Sequence, residues 1–353
     1  MTGSFPDKVV HGGKIKQIRE DTGRNVIDFS ANMNPFVPQI SVEYSPDLLA
    51  VYPDDRYMAL KEVIAGCFRR PVEDIAVGNG SIELIRVFCL ATLSPGTHFR
   101  TMHPTFGEYE LSARLAGALP VSGHEHALVR FICNPNNPTG VLLSRDEVLA
   151  MRETTREGYL FVDEAFIELS DPEQSVADVR DPAVFVVRSL TKCFSAPGIR
   201  FGYAFGDPDL VSKVETIRPP WSVNAFAEQY ALAAFRSYDL LETSRKRITA
   251  EREWLVRELS RFDLGIHPSA VNFLLLTFPT DVGPLCSRLL EGGILVRDCH
   301  SFGLPDSIRI AVRTRDENRL LIGVLERCLH LFLQEEGVPG PIFGKNPWLP
   351  SAE

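Results

Sequence analysis

Several features that mark common protein classes are missing or scarce in this 353-residue chain. Seven cysteines are scattered without a Cys-x-x-Cys pair, which excludes a disulfide-rich miniprotein and gives no zinc or redox motif. The longest apolar stretch, Val271–Phe278, is too short to cross a bilayer, and the first residues contain no apolar core typical of a signal peptide. We therefore expect a cytoplasmic protein without a membrane partner.

Lysine is scarce as well, since eight of the 37 basic residues are Lys and 29 are Arg. The net charge of −9 argues against a nucleic-acid partner. Arginine binds carboxylate and phosphate through paired hydrogen bonds, so small anionic ligands suit this composition better. No metal site is expected, because a solvated loop is the simpler interpretation of the pair His124 and His126.

What is present is the pattern of an α/β protein. Short β-rich runs alternate with helical patterns, which predicts a large domain with a mostly parallel sheet flanked by helices. Its strands are predicted at Asp74–Val77, Arg130–Cys133, Tyr159–Val162, Val184–Ser189 and Phe201–Phe205. Residues 224–262 lack Gly and Pro and predict one long helix or two joined helices.

The pattern then changes to that of a smaller α+β domain. Its strands are predicted at Val271–Phe278, Ile294–Val296 and Ser307–Val312, with helices between and after them. The expected divisions are an N-terminal arm contributing to the small domain at 1–35, a large domain at 36–235, a small domain at 236–336 and an irregular tail at 337–353.

Lys192 is the first candidate for chemistry, in the segment SLTKCFSAPGIR that follows the strand Val184–Ser189. Open α/β sheets place their sites at the carboxyl ends of strands. The hydroxyls of Ser189 and Thr191, together with Arg200, are suited to hold a phosphate, and the lysine can form a Schiff base. Taken in isolation, the motif is more often a surface loop with an ordinary lysine.

Asp163 is the second candidate, at the end of the apolar strand Tyr159–Val162. A carboxylate buried there needs a partner, and a protonated pyridine nitrogen is one that would keep the ring electron-withdrawing. A helix N-cap or a metal-ligand aspartate is an equally good interpretation of this residue alone.

Three further motifs are individually weak. NPNNPTG at 134–140 is ordinarily only a turn, although its proline-restricted backbone can aim Asn137 at a ring oxygen. VGNGSIE at 77–83 joins a strand to a helix, and its free amides suit an anion, although any tight turn favours glycine. Phe106 can stack on an aromatic ring, although a single Phe is more often part of the core.

In chain order, GNGSIE, HPTFGEY, NPNNPTG, VDEAF and SLTK…GIR resemble the motifs of pyridoxal-phosphate (PLP) enzymes with the aspartate-aminotransferase-type fold, in the histidinol-phosphate aminotransferase branch. The resemblance implies that Lys192 forms the Schiff base, that Asp163 pairs with the pyridine nitrogen and that Asn137 donates to the ring oxygen. It also implies that PLP is bound by Gly80, Ser81, Ile82, Phe106, Ser189, Thr191 and Arg200. Tyr52 resembles the tyrosine that reaches the neighbouring subunit's cofactor phosphate, which implies a homodimer with shared sites.

Within this branch, the opening segments His11–Ile15 and Ile27–Pro35 are similar to those of threonine-phosphate decarboxylases of cobalamin biosynthesis. Phe166 stands where aminotransferases usually carry Tyr, and the missing hydroxyl should raise the pKa of the Schiff base, which favours the decarboxylase. The resemblance thus implies decarboxylation of L-threonine O-3-phosphate. The alternative is transamination of histidinol phosphate or a related amino acid.

The substrate, on this resemblance, is a small phosphorylated amino acid. Arg309 resembles the family's carboxylate-binding arginine and Arg297 the second substrate arginine, while His11 and Asn32 are expected to add donors to the distal phosphate. Without the resemblance, either arginine is more often a solvated charge at a strand end, and His11 is more often simply solvated.

Overall fold

The computed structural model describes residues 6–122, 126–155 and 158–335. Its strands β1 to β13 are Ile27–Asp28, Ile75–Gly78, His98–Arg100, Leu119–Pro120, Val129–Cys133, Tyr159–Asp163, Val184–Ser189, Gly202–Phe205, Gly265–Ile266, Phe273–Thr277, Ile294–Leu295, Arg297–Asp298 and Ser307–Ala311. Its helices α1 to α11 are Ile15–Thr22, Met58–Phe68, Ser81–Thr92, Glu108–Leu115, Arg145–Glu153, Leu190–Cys193, Pro208–Ile217, Ala225–Arg236, Leu241–Leu259, Gly283–Glu291 and Arg315–Glu335.

A seven-stranded sheet forms the centre of the large domain, in the order β2-β8-β7-β6-β5-β3-β4. Strands β7, β6, β5, β3 and β4 pair in parallel, whereas β8 is antiparallel to both of its neighbours. All six residues of β7 are buried, as expected for a central parallel strand covered by helices on both faces. The predicted mostly parallel sheet is confirmed, and each of its five predicted strands lies within one residue of the observed strand.

The small domain contains a four-stranded antiparallel sheet in the order β12-β13-β10-β9. The prediction of one strand at Ile294–Val296 was wrong in part, because the chain changes partners there. Ile294–Leu295 pairs in parallel with β1 from the N-terminal arm, and Arg297–Asp298 pairs instead with β13. This change of partner brings the N-terminal arm beside Arg297.

Residues 224–262 form two joined helices, α8 and α9, with a 3-10 turn at Tyr238–Leu240 between them. Leu241 and Ile248 of α9 pack in the core of the large domain, whereas Leu255 and Leu259 pack in the core of the small domain. Helix α9 therefore spans both cores. The division at 235/236 stays a prediction, and the predicted tail at 337–353 and His124 lie outside the described residues.

Two features are absent from the residues that the structure describes. No helix there combines the length and apolar character that crossing a bilayer requires. Within the same residues, no group of three or more His, Cys, Asp or Glu side chains is arranged to hold a metal ion.

Strand β8 passes very close to the start of α3. A Cβ atom on Gly202 would lie 2.4 Å from the backbone nitrogen of Ser81 and 2.6 Å from the carbonyl carbon of Gly80. Real side chains do not tolerate such distances to backbone atoms, so glycine is required for this approach. The contact fixes the turn between β2 and α3 against the sheet.

Replacing Gly202 with alanine should lower the free energy of unfolding by about 1–3 kcal/mol, because the added methyl group forces the backbone at the start of α3 to move. Urea denaturation followed by circular dichroism measures the change. Gly66→Ala is the matched control, since a Cβ at this position in α2 meets no described atom within 4 Å. It should leave stability unchanged or raise it by up to about 1 kcal/mol. Equal losses in both variants would contradict the packing argument.

Candidate active site

A cavity of about 450 Å³ opens at the carboxyl ends of β5, β6 and β7, between the large and small domains. It has the size of an ordinary small-molecule site. Thirteen of the fifteen sequence-predicted site residues line it: His11, Asn32, Ser81, Ile82, Phe106, Asn137, Asp163, Ser189, Thr191, Lys192, Arg200, Arg297 and Arg309. The structure thus brings together residues almost 300 positions apart, while their individual roles stay predictions.

Asp163 ends β6 with its carboxylate buried in the floor of the cavity. Tyr109 donates its hydroxyl hydrogen to Oδ2 at 2.8 Å, and the amide of Ala165 donates to Oδ1 at 2.9 Å. Burial raises the pKa of Asp163 to about 6, although these two hydrogen bonds lower it. The carboxylate is therefore held in place, and a positively charged partner would stabilise its ionised form.

Lys192 lies in the four-residue helix α6, directly after β7. The hydroxyl of Ser189 accepts the amide hydrogen of Thr191 at 3.2 Å and so caps this helix. Burial, followed by the positive charges of Arg309 and Arg200, lowers the pKa of the Lys192 amine from 10.5 to about 8. A larger fraction of this amine is neutral near pH 7.5 than in an exposed lysine, which makes it a better nucleophile.

A concave surface suited to an anion, here called the anion cradle, lies where α3 begins. Gly80 precedes the helix with φ +77°, and Ser81 and Ile82 line the cavity there with first-turn amides that have no partner inside the helix. A Cβ on Gly80 would lie 2.6 Å from Nη2 of Arg200, so glycine also allows this guanidinium to approach the turn. Backbone amides and a guanidinium on one concave surface suit a phosphate group.

Arg309, in β13, faces the opposite side of the cavity and is buried. It donates to the side-chain oxygen of Asn137, and its Nη2 donates to the carbonyl oxygen of Ser30 at 3.0 Å. With its amide oxygen turned toward the guanidinium, Asn32 accepts from Nε and Nη1 at 3.2 Å. Burial lowers the pKa of Arg309 to about 10, so the guanidinium stays charged at neutral pH.

Arg297 and His11 lie at the outer end of the cavity. Nη2 of Arg297, which is buried, donates to the carbonyl oxygen of Val10 at 2.8 Å and to the hydroxyl of Ser301 at 2.6 Å. Nε2 of His11 lies 2.8 Å from a carboxylate oxygen of Glu108. Both predicted distal-anion residues therefore contact, or belong to, the N-terminal segment.

Tyr52 does not reach the cavity of its own chain. Its side chain is 78% exposed and stacks on Trp221 with ring centroids 4.5 Å apart. Gly80 lies beside the cavity as part of the cradle. Phe106 lines the cavity and packs edge-on against Tyr109 at 5.5 Å.

Sequence reasoning missed two buried residues that support the predicted ones. Tyr109 orients Asp163, and its position three residues after Phe106 in the motif HPTFGEY was an available signal. Asn34 connects the N-terminal arm to the turn that carries Lys192. Its backbone amide donates to the carbonyl oxygen of Lys192 at 3.0 Å, and its side-chain amide donates to the carbonyl oxygen of Cys193 at 2.7 Å. A buried asparagine of this kind has no local sequence pattern that reveals its distant partner.

The sequence profile of the family described as aminotransferase class I and II matches residues 24–325. The chain therefore belongs to this family, whose members depend on PLP. It is 36% identical over 366 residues to a protein of Caldanaerobacter subterraneus subsp. tengcongensis named "Putative threonine-phosphate decarboxylase", with 93% of this chain and 95% of that protein covered. It is 30% identical over 344 residues to the histidinol-phosphate aminotransferase of Symbiobacterium thermophilum, with 91% and 95% covered.

The fold is similar to that of a solved relative, the histidinol-phosphate aminotransferase of Sinorhizobium meliloti in complex with pyridoxal-5'-phosphate. The TM-score is 0.78 at 22% sequence identity, with 89% of this chain and 94% of that chain covered. This likeness confirms the expected aspartate-aminotransferase-type fold.

The residues present fit PLP on structural grounds. The cradle at α3 matches a phosphate, Lys192 offers a buried amine of lowered pKa, and Asp163 offers a buried carboxylate for a protonated ring nitrogen. These three features lie in one cavity. The cofactor's phosphate, aldehyde and ring nitrogen thus each have a chemically matched group.

The lowered pKa of Lys192 predicts how fast the cofactor-free protein takes up PLP at different pH values. Only the neutral amine attacks an aldehyde, so the association rate should rise about tenfold per pH unit below pH 8 and level off above it. Stopped-flow absorbance after mixing with PLP between pH 6.5 and 10 measures this rate. A rate that keeps rising toward pH 10 would mean that the amine titrates as an ordinary lysine, against the structure.

Proposed function

We propose that this protein decarboxylates L-threonine O-3-phosphate to (R)-1-amino-2-propanol O-2-phosphate and CO2, the linker precursor of cobalamin biosynthesis. The observation that carries the proposal is the presence of two buried arginines, Arg309 and Arg297, in the cavity that also contains Lys192. Two separate guanidinium groups suit an amino acid with two anionic ends. Threonine phosphate has both a carboxylate and a phosphate, whereas histidinol phosphate has no carboxylate.

The surroundings of the two arginines support a different substrate-binding role for each. Arg309 contacts Asn137 and exerts a direct electrostatic effect on Lys192, so it belongs to the reacting end and is proposed to bind the substrate carboxylate. Arg297 contacts the N-terminal segment near His11, so these two residues are proposed to bind the distal phosphate. The role of Asn32 at the phosphate stays a prediction from the sequence, since its side chain accepts from Arg309 at the reacting end.

Phe166 also supports decarboxylation. Its ring is buried against Val271 and Phe273 and lies 5.7 Å from the Lys192 nitrogen, measured to the ring centroid. A tyrosine at this position would add a hydroxyl donor near the reacting groups, as aminotransferases of the resembled branch usually have. Because the ring of Phe166 has no hydroxyl, the side-chain amide of Asn137 is the donor that remains on that side of the cavity.

When bound, PLP supplies an electron-withdrawing ring that accepts the electron pair of the Cα bond that breaks. Arg309 and Arg297 bind the substrate at its two ends. The orientation that they impose decides whether the carboxylate or the Cα hydrogen is aligned for release. Asp163 would supply a negative charge to a protonated ring nitrogen. Lys192, in its ammonium form, would deliver the proton that replaces CO2 at Cα, and its neutral amine would then displace the amine product from the cofactor's aldehyde carbon.

Transamination of histidinol phosphate or a related amino acid is the second candidate. The 30% identity to a protein with that name favours it. The two reactions need the same cofactor-binding residues and differ in which Cα bond is aligned, so the shared machinery supports both. Phe166 favours the first, and the second anion site favours it over histidinol phosphate, although the 2-oxoglutarate needed for transamination also has two anionic ends.

A product assay separates the two activities. The protein with PLP should release one CO2 per L-threonine O-3-phosphate consumed, without added 2-oxoglutarate. The variant Arg309→Gln should lower kcat/KM for this substrate at least about 100-fold, because the substrate carboxylate loses a charged, paired hydrogen bond. Trapped CO2 and the phosphorylated amine are measured, with serine phosphate as a parallel substrate. Formation of an oxo product only with 2-oxoglutarate, and no CO2, would instead establish transamination.

We also propose that the protein works as a homodimer in the cytoplasm, with Tyr52 serving the neighbouring site. Tyr52, Trp221, Leu49 and Val51 leave an apolar surface on the single chain, with Leu49 and Val51 71% and 67% exposed. Exposed apolar surface of this kind favours a protein partner. The cytoplasmic location stays a prediction from the cysteine content.

Mixing two defective variants tests the shared site. Lys192→Ala should be inactive and Tyr52→Ala should bind PLP poorly, because each lacks one part of every site. In a mixed dimer, the site with Lys192 receives Tyr52 from the other subunit, so activity should recover to about a quarter of wild type after subunit exchange. Turnover and sedimentation of the mixture are measured. No recovery in proven mixed dimers would place Tyr52 outside the partner's site.

A further inference from the structure

Glu108 is a buried carboxylate beside the active site that the proposed reaction does not use. It begins α4 and is 4% exposed, yet the substrate expected nearby is itself an anion. One of its oxygens lies 2.8 Å from Nε2 of His11, and the other accepts a hydrogen bond from Arg86 at 3.3 Å. Burying a carboxylate is costly unless it is paired, so these two partners define its role.

Apart from the pair with Arg86, the contacts around Glu108 hold the same short segment of the N-terminal arm. Phe106 lies beside His11, with ring centroids 5.9 Å apart, and Gly107 faces the side chain of Val9. From the small domain, Arg297 donates to the carbonyl oxygen of Val10. Residues 9–11 are thus held between the two domains, at the end of the cavity assigned to the distal phosphate.

The chemistry of the imidazole explains why a carboxylate lies next to His11. With Nε2 directed to Glu108, Nδ1 is the nitrogen that can donate to a substrate oxygen, and a ring that donates from both nitrogens carries a positive charge. A carboxylate can only accept, so Nε2 is the nitrogen that donates to Glu108 when this carboxylate is ionised. Hydrogen bonds from His11 and Arg86 in turn keep the pKa of Glu108 below its ordinary value, although burial raises it.

We propose that Glu108 is a positioning residue that holds His11 as a charged donor for the phosphate of the substrate. Glu108 itself lies behind the cavity lining, so it acts through His11. The proposal rests on the proposed phosphorylated substrate and deepens it, because it ties recognition of the phosphate to a carboxylate on α4. A purely structural role, in which Glu108 only fixes α4 to α3 through Arg86, is the competing explanation.

The two explanations differ in which kinetic constant changes. Glu108→Gln keeps the shape and a hydrogen-bond acceptor but removes the charge, so KM for L-threonine O-3-phosphate should rise about tenfold, as expected for losing a charge-assisted hydrogen bond. The value of kcat should stay within about twofold, because the phosphate is remote from the bond that breaks. Damage to the fold would instead lower the active fraction, and so kcat, without changing KM.

Glu110→Gln is the matched control, since this carboxylate is on the same helix, is more exposed and pairs with Arg114. It should leave both constants unchanged. In a His11→Ala background, Glu108→Gln should change KM by less than about twofold, because its effect passes through His11. Inhibition by the product should weaken about tenfold in Glu108→Gln, whereas inhibition by 1-amino-2-propanol, which has no phosphate, should not change.

The outcomes separate this proposal from the proposed reaction. An unchanged or lowered KM in Glu108→Gln, or the same increase in the His11→Ala background, overturns the role of Glu108. Absence of CO2 release by the wild-type protein overturns the decarboxylation instead. In that case the comparison of inhibition by the phosphorylated and the unphosphorylated amine still decides whether Glu108 acts on phosphate.

Discussion

The burial of two opposite charges at the ends of neighbouring strands is the constraint on which the site depends. Asp163 ends β6 and Lys192 follows β7, and burial moves both pKa values toward neutrality, to about 6 and about 8. Each group is costly to bury alone. A cofactor with a positive ring nitrogen and an aldehyde compensates both costs, so its binding also stabilises the folded protein.

The large sheet could be predicted from sequence because its strands are continuous apolar runs ended by polar residues. The same rule located Asp163 and Lys192. It failed for the short strands His98–Arg100 and Leu119–Pro120 near one edge of the sheet, which have too few residues for a pattern. It also failed at Val296, because a change of pairing partner depends on the distant arm strand rather than on local residues.

The N-terminal arm explains why the site needs nearly the whole chain. Asp28 accepts hydrogen bonds from the amide and hydroxyl of Ser30, and Ser30 in turn accepts from Arg309 through its carbonyl and from Gly13 through its hydroxyl. One turn of the arm thus positions Arg309 and the segment around Gly13. Hydrogen bonds over such sequence separations leave no periodic signal, so only the three-dimensional structure reveals them.

The division of the site into two ends also explains why relatives with different named activities resemble this chain to similar degrees. The cofactor end, formed by the large sheet and α3, serves any reaction that needs electrons withdrawn from Cα. The far end is formed by residues from the arm and the small domain, and on the proposed function it would decide which substrate is held and in which orientation. We therefore expect specificity within this fold to depend on a few contacts, such as those of Arg297 and His11, rather than on the fold that supports them.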